Sequence, residues 1–298
     1  MRRLAIILGG IALLLLVTLL VTRPTGLPPG SLPAHAADTS NGERLFHAGG
    51  CVSCHATPGV ESKAPVLGGG LGLNTPFGVF RVPNISPDKV HGIGNWTTLD
   101  FVNAMHLGVS PDNRHFYPAF PYTSYTHMSF EDLMDLKAYM DTLPAAQTPN
   151  QHHELKFPWS IRAGIGLWKL LNLDSTPVVS VPGDDATLVR GRYLVEGPGH
   201  CGECHTPRNW SGGLDRSRWL AGAPNPEGEG VVPDITPDQE GLAAWSQSDI
   251  EYYLKSGFTP DFDTVGGSMV EVQENMALLT AEDRAAIAAY LKAVPARH

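Results

Sequence analysis

Two short stretches constrain this chain more than any other feature. One reads Cys51-Val52-Ser53-Cys54-His55 and the other Cys201-Gly202-Glu203-Cys204-His205. Both follow the pattern C-x-x-C-H, and together they use all four cysteines of the chain. Two thiols three positions apart can add to the two vinyl groups of one porphyrin. The adjacent His is then placed to bind the iron, which makes this the attachment pattern of a c-type haem. Zinc sites built from paired C-x-x-C motifs separate the pairs by about 15–20 residues; here the second begins 150 positions after the first. A thioredoxin-like motif needs a βαβ setting, and plain disulfides would not call for the His. We therefore expect two covalently bound haem c groups, held by Cys51 and Cys54 and by Cys201 and Cys204. His55 and His205 are the expected proximal iron ligands.

A chain of 298 residues has room for two ordinary domains. The formal charge of -9 argues against a nucleic-acid partner. With 32 Gly and 25 Pro the chain is rich in loops, as suits small domains in which a haem supplies much of the apolar core.

Met1-Arg2-Arg3 precedes 19 residues without a charge, Leu4 to Thr22, and Arg23 ends the run. A bilayer core needs about 20 apolar residues in a helix. The two arginines place Met1 in the cytoplasm and the rest of the chain on the exported side. We read residues 1–23 as an uncleaved transmembrane anchor. A cleaved signal peptide is the competing reading, with Ala34-His35-Ala36 as its small-x-small site. Both export the protein. Pro24, Pro28, Pro29 and Pro33 make residues 24–40 a stiff tether.

From Asn41 onward the chain repeats itself. Asn84-Ile85-Ser86-Pro87-Asp88 and Asp234-Ile235-Thr236-Pro237-Asp238 each begin 33 residues after the first Cys of their half. Trp96 and Asp100 answer Trp245 and Asp249, and Gly108 to Asp112 answers Gly257 to Asp261. Ser129 and Thr280 read as N-caps of a closing helix with acids in its first turn. Short helices at Gly42 to His47 and Gly191 to Glu196 precede the two motifs. Middle helices are expected near Thr98–Leu107 and Gln247–Lys255. The order in each half is helix, C-x-x-C-H, long loop, middle helix, ligand loop, final helix. Residues 41–143 and 186–298 are thus two haem domains joined by a connector over 144–185. The apolar stretch Ile161 to Leu171 in that connector is too short to span a bilayer. It reads as a helix packed across the two domains, or as a surface for a partner subunit or the membrane.

Methionine as second axial ligand raises a haem potential relative to histidine. In the second domain, Met269 lies in the ligand loop and is the expected distal ligand, while Met276 suits core packing. In the first domain the repeat puts Phe120 opposite Met269, and Phe cannot bind iron. Met128 is then the expected distal ligand of the first haem; otherwise that site is open, or is bound by His127 or His115. The other histidines read as surface or second-shell groups. Trp96 and Trp245 pack in the core or meet a haem edge or propionate. Arg81 and Arg208 are candidate propionate partners.

With these residues in view, the chain resembles the membrane-anchored dihaem cytochrome c proteins, similar to the cytochrome subunits of periplasmic alcohol, aldehyde and related dehydrogenases. The resemblance is carried by Phe46-His47-Ala48-Gly49-Gly50-Cys51, Asn84 to Asp88, Gly92-Ile93-Gly94, Tyr117 to Tyr125 and Gly267-Ser268-Met269. It implies an all-α fold of two tandem class I cytochrome c domains after the N-terminal transmembrane helix. It further implies electron transfer without catalysis. The donor would be a periplasmic dehydrogenase, and the acceptor a quinone, an oxidase or a soluble cytochrome. The location would be the bacterial inner membrane, single-pass, with the haem domains in the periplasm. Relatives of this kind can carry Met where this chain has Phe120. That departure keeps a second class in view, a dihaem peroxidase or thiosulfate-oxidising cytochrome with an open site at the first haem.

Overall fold

A computed structural model of the chain describes residues 2–60, 62–225, 228 and 230–296. Met1, assigned above to the cytoplasmic side, and Arg297 and His298 at the end of the second haem segment lie outside them. The uncharged N-terminal run forms one helix, α1 (Arg2–Val21), with no residue buried. It is the one helix among the described residues long and apolar enough to cross a membrane.

The Pro-rich segment after it is extended but not free. Leu27 N–H donates to Asn103 Oδ1 at 2.7 Å, and Leu27 and Leu32 pack on the first core. His35 and the Asp38 amide both meet Asp135 Oδ1 at 2.7 Å. The tether is thereby laid against the first half of the chain.

The first half follows the expected order. Helix α2 (Thr39–Ala48) starts on Asp38, whose carboxylate accepts the amides of Ser40 and Asn41. Gly50, with φ 53°, turns the chain into α3 (Cys51–His55), so this position needs a residue that tolerates left-handed backbone. Strands β1 (Gly72–Thr75) and β2 (Gly78–Arg81) form an antiparallel hairpin. Helix α4 (Thr98–Leu107) opens with a Thr97–Asp100 capping box and closes on Gly108. A short α5 (Tyr122–Tyr125) precedes α6 (Phe130–Met140), which Ser129 caps as expected. Strand β3 (Glu154–Leu155) then adds to β2, and α7 (Gly164–Asn172) lies within the connector.

The second half repeats the scheme with α8 (Ala186–Glu196), α9 (Gly202–His205), β4 (Ala221–Pro224), β5 (Val231–Asp234) and α10 (Gln247–Ser256). It ends with α11 (Met269–Ala277) and α12 (Ala281–Ala293), the latter capped by Thr280. The capping box recurs as Ser246–Asp249, and the glycine stop as Gly257.

One correction to the all-α expectation follows. The chain is mostly helical, but each half carries a small antiparallel hairpin inside its long loop, the first extended to three strands by β3. The hairpin strands are four residues long, each interrupted by Gly or Pro, too short to show a hydropathy alternation.

The first and last helices of each half cross at a glycine. A Cβ on Gly42 would fall 2.1 Å from the Asp135 carbonyl oxygen and 2.8 Å from Tyr139 Cβ. A Cβ on Gly191 would fall 2.0 Å from the Ala286 carbonyl oxygen and 2.7 Å from Tyr290 Cβ. Only glycine lets the backbones approach this closely. Leu45, Phe46, Leu133 and Leu136 form the core beside the first crossing; Leu194, Val195, Ile287 and Leu291 form that beside the second.

Candidate functional site

The two C-x-x-C-H turns are short helices presented by these crossings. In α3, the Cys51 thiol lies on the first core, and burial, with Cys54 nearby, pushes it up to about 12. Burial likewise pushes the Cys201 thiol up to about 12. Cys54 and Cys204 are exposed. Each turn therefore presents one thiol against the apolar interior and one at the rim, an arrangement that fits a flat apolar ligand standing on its edge.

The histidines are aimed by the same device in both halves. His55 Nδ1 donates to the Pro83 carbonyl at 2.8 Å, and His205 Nδ1 donates to the Pro233 carbonyl at 2.8 Å. A carbonyl can only accept, so Nδ1 carries the proton and Nε2 keeps its lone pair for a metal. Burial pulls the His55 imidazole down to about 4, opposed in part by the Pro83 carbonyl. His205 is shifted the same way, chiefly by burial. Both rings are held neutral, the form that ligates iron. These residues fit haem. The proline carbonyls went unnoticed in the sequence, although Pro83 and Pro233 stand at the repeat offset directly before the matching Asn84 and Asp234 stretches.

The structure also brings the two turns together. His200, next to Cys201, meets the carbonyl of Gly49, two residues before Cys51, through Nε2 at 3.2 Å. Ser53 of the first turn accepts from Asn275 Nδ2 of α11 at 3.2 Å. Reciprocally, Glu203 of the second turn accepts from Thr123 Oγ1 at 2.8 Å and Ser124 Oγ at 3.0 Å, both on α5. Tyr125 lies between them, buried, with its ring centroid 5.7 Å from that of His200. Burial raises its phenol well above the ordinary value, and Cys51, Cys54 and Glu203 push the same way. Each turn thus bonds to the segment before the final helix of the opposite half, an approximately two-fold arrangement. Nothing in the linear sequence pairs Ser53 with Asn275 or Glu203 with Ser124.

The second turn has an extra brace. The Trp219 ring packs so close to Gly202 that a Cβ there would fall 2.1 Å from it. Trp219 Nε1 donates to the Tyr290 hydroxyl at 3.3 Å, which donates to Glu196 at 2.6 Å. Glu196 also accepts the amides of Val178 and Val179.

The methionines differ between the halves. Met128 is buried in the first core, beside Tyr125 and Leu133. Met269 is half-buried at the start of α11, and Met276 is buried in the second core. Phe120 packs on Phe116, Tyr122 and Tyr125 at ring separations of 5.6, 6.2 and 5.7 Å. His115 Nε2 donates to the Thr22 carbonyl at 2.8 Å, and His127 faces Ser175, Arg216 and Asp174. Arg81 and Arg208, considered above as propionate partners, are paired with Glu154 and Glu203. Trp96 and Trp245 are both half-buried against their cores.

The Cytochrome c family matches residues 39–144. A diheme cytochrome c-type protein of Cereibacter sphaeroides is 53% identical over 293 residues, covering 97% of each chain. The chain belongs to the dihaem c-type cytochromes. This cytochrome carries two covalently bound haem c groups. It is also 38% identical to the fructose dehydrogenase cytochrome subunit of Gluconobacter japonicus, across 96% of this chain and 58% of that one. The gluconate 2-dehydrogenase cytochrome c subunit of Pantoea cypripedii is 35% identical, across 89% of this chain and 61% of its own length. The cytochrome therefore spans about three-fifths of the length of those dehydrogenase subunits. These relatives favour electron transfer over the peroxidase or thiosulfate-oxidising alternative.

Proposed function

We propose that this cytochrome is a two-haem electron relay, anchored by α1 on the exported side of the bacterial inner membrane. It takes electrons from a periplasmic dehydrogenase and hands them to the respiratory chain through a quinone, an oxidase or a soluble cytochrome. Residues 41–143 and 186–298 act as two class I cytochrome c domains. Cys51, Cys54 and His55 hold the first haem, and Cys201, Cys204 and His205 the second. Met269 completes the second iron and Met128 the first. The haems supply one-electron transfer between ferric and ferrous iron. The protein keeps both imidazoles neutral, fixes their orientation and shields the haem faces with apolar side chains.

One observation carries the relay reading. The residues flanking the two attachment turns meet through His200 on Gly49, and each turn bonds to the opposite half, Ser53 to Asn275 and Glu203 to Thr123 and Ser124. These contacts hold the haem-bearing edges at a fixed separation, which is what outer-sphere transfer requires. The dehydrogenase partner is supported by the names of the relatives, and the anchor by the length of α1.

The test is spectroscopic. The haem-loaded full chain is expected to show two low-spin haems that do not change with cyanide or peroxide. Met269→Ala and Met128→Leu should each convert one haem to a high-spin, ligand-binding form. A high-spin haem in the unsubstituted chain would overturn the pure carrier reading. A low-spin first haem in Met128→Leu would remove Met128 as its ligand. Co-purification from detergent-solubilised membranes identifies the donor.

A further inference from the structure

Helix α7 is built inside out for a helix in water. Its buried positions are Gly166 and Lys169. Its outward face carries Leu167, Leu170 and Leu171, which are 50, 61 and 59% exposed. The loop leading into it adds Phe157 at 80%, Trp159 at 51% and Ile161 at 54%. A soluble surface helix turns its leucines inward and its lysine outward. Here the lysine is turned in with a definite task. Lys169 Nζ donates to the carbonyls of Leu107 and Gly108, each at 2.7 Å, closing the end of α4. It also lies 4.7 Å from the centroid of the Tyr122 ring. The leucines are left outside.

The same segment is pinned to the end of α1. Gly166 packs on Thr22 so closely that a Cβ would fall 2.3 Å from the Thr22 carbonyl. His115 donates to that carbonyl, and Arg162 Nη1 donates to the His115 carbonyl at 2.7 Å. Thr22 follows the last residue of α1, long and apolar enough to cross a bilayer, so these contacts fix α7 at the level where the chain would leave the membrane. Between Leu155 and Asn172 there is no acid, and Lys156 and Arg162 are the cations besides the inward-turned Lys169, in a chain of net charge -9. From α7 itself, Trp168 Nε1 donates to the Ser211 carbonyl at 3.0 Å, which brings in Trp210, 90% exposed. Tryptophans, aliphatic side chains and cations without acids are what a membrane–water interface selects.

We propose that the connector from Phe157 to Leu171 is a second, monotopic membrane contact that lies in the lipid interface beside α1. It rests on the reading of α1 as a retained anchor. Two contacts fix the tilt of both haem domains over the bilayer, where a single helix and a tether would leave them free to swivel.

The test uses the haem-loaded full chain in vesicles of phosphatidylethanolamine and phosphatidylglycerol. The natural cysteines are taken up by haem, so one added cysteine carries a spin label. Labels at Trp159→Cys and Leu170→Cys are expected to collide with oxygen dissolved in lipid more than with a water-soluble nickel complex. A label at Phe262→Cys, 89% exposed in the second half, should show the reverse. A label at Leu13→Cys reports α1 separately. If position 13 is in lipid while 159 and 170 are in water, the proposal falls and the anchor stands. If the mature chain has lost position 13, the anchor reading falls; labels at 159 and 170 in water then overturn the proposal, and labels there in lipid uphold the contact without α1. Labels that stay in water until a dehydrogenase is added would assign the face to that partner and overturn the membrane contact.

Discussion

The helix crossings are the part of the fold on which both haem sites depend, and Gly191→Ala tests this directly. A Cβ there would sit 2.0 Å from the Ala286 carbonyl, against backbone that cannot rotate away. Helix α8 must therefore move off α12. Overpacking of this kind costs about 1–3 kcal/mol. Alanine returns about 0.5–1 kcal/mol through its helix propensity. Separation also strains the buried bond from Tyr290 to Glu196, 2.6 Å long, and a bond to a charged acceptor contributes about 1.5–3 kcal/mol. The net expectation is a loss of about 2–4 kcal/mol. For a unit of about 100 residues, each kcal/mol lowers the melting midpoint by about 4–8 °C.

Gly42→Ala makes the same steric clash in the first half, with 2.1 Å to the Asp135 carbonyl. Tyr139 reaches Glu43 only at 3.4 Å near the surface, but the crossing carries its own buried network, in which the Asp135 carboxylate is bonded by His35, the Asp38 amide and Asn41. Its loss should be of the same size, about 2–4 kcal/mol. Gly164→Ala is the control, since nothing lies within 4 Å of a Cβ there; it should be neutral or stabilising by up to about 1 kcal/mol. The assay is thermal and guanidinium unfolding of the haem-loaded chain in detergent, followed by haem absorbance. A Gly191→Ala variant as stable as the parent, or no more affected than Gly164→Ala, would refute the crossing argument.

Other outcomes follow from the contacts between the halves and from the connector. Glu203→Ala strands the hydroxyls of Thr123 and Ser124, while Arg208 keeps its bond to the backbone carbonyl of residue 203, and should destabilise by about 2 kcal/mol while slowing exchange between the haems, measured by photoreduction; Ser53→Ala, losing one neutral bond, should cost about 1 kcal/mol or less. Burial pulls Lys169 from its ordinary 10.5 down to about 7. Its folded value lies below its unfolded one, so between about 7 and 10.5 the unfolded chain binds more protons and stability rises with pH from this group; below about 7 the term is lost. Denaturant midpoints measured across that window should show the rise, and Lys169→Met should flatten it.

Much of this fold was legible because the same order of elements occurs in both halves. The helix starts at Thr97, Ser129, Ser246 and Thr280 are local signals, and their spacing in both halves fixed the order of elements. Cys and His gave the attachment turns, since haem chemistry needs those atoms in that spacing. The hairpins were not legible, because four-residue strands interrupted by Gly or Pro are too short to show a period. The clamp of His35 and Asp38 on Asp135 was hidden for another reason: it joins residues about 100 positions apart that share no motif. The same holds for Ser53 with Asn275, where the partners lie in different copies.

The two copies diverge most where the second axial ligand is sought, and the divergence has a physical pattern. In the first half the segment before the final helix is a four-residue helix packed through a run of aromatic rings, with Tyr122 fully buried under Gly108. That ring is in turn covered by Lys169 of the connector. In the second half the matching segment is a nine-residue helix that begins at a half-buried Met269 and follows an exposed loop. Both halves share the glycine crossing and the proline carbonyl behind the histidine, but the second turn adds the Trp219–Tyr290–Glu196 brace, so the surroundings of the two histidines differ as well as those of the two methionines. The first distal segment is also the one coupled, through Lys169 and His115, to the connector and to the end of α1. The aromatic segment of the first half, the connector helix and the end of α1 therefore form one packed unit.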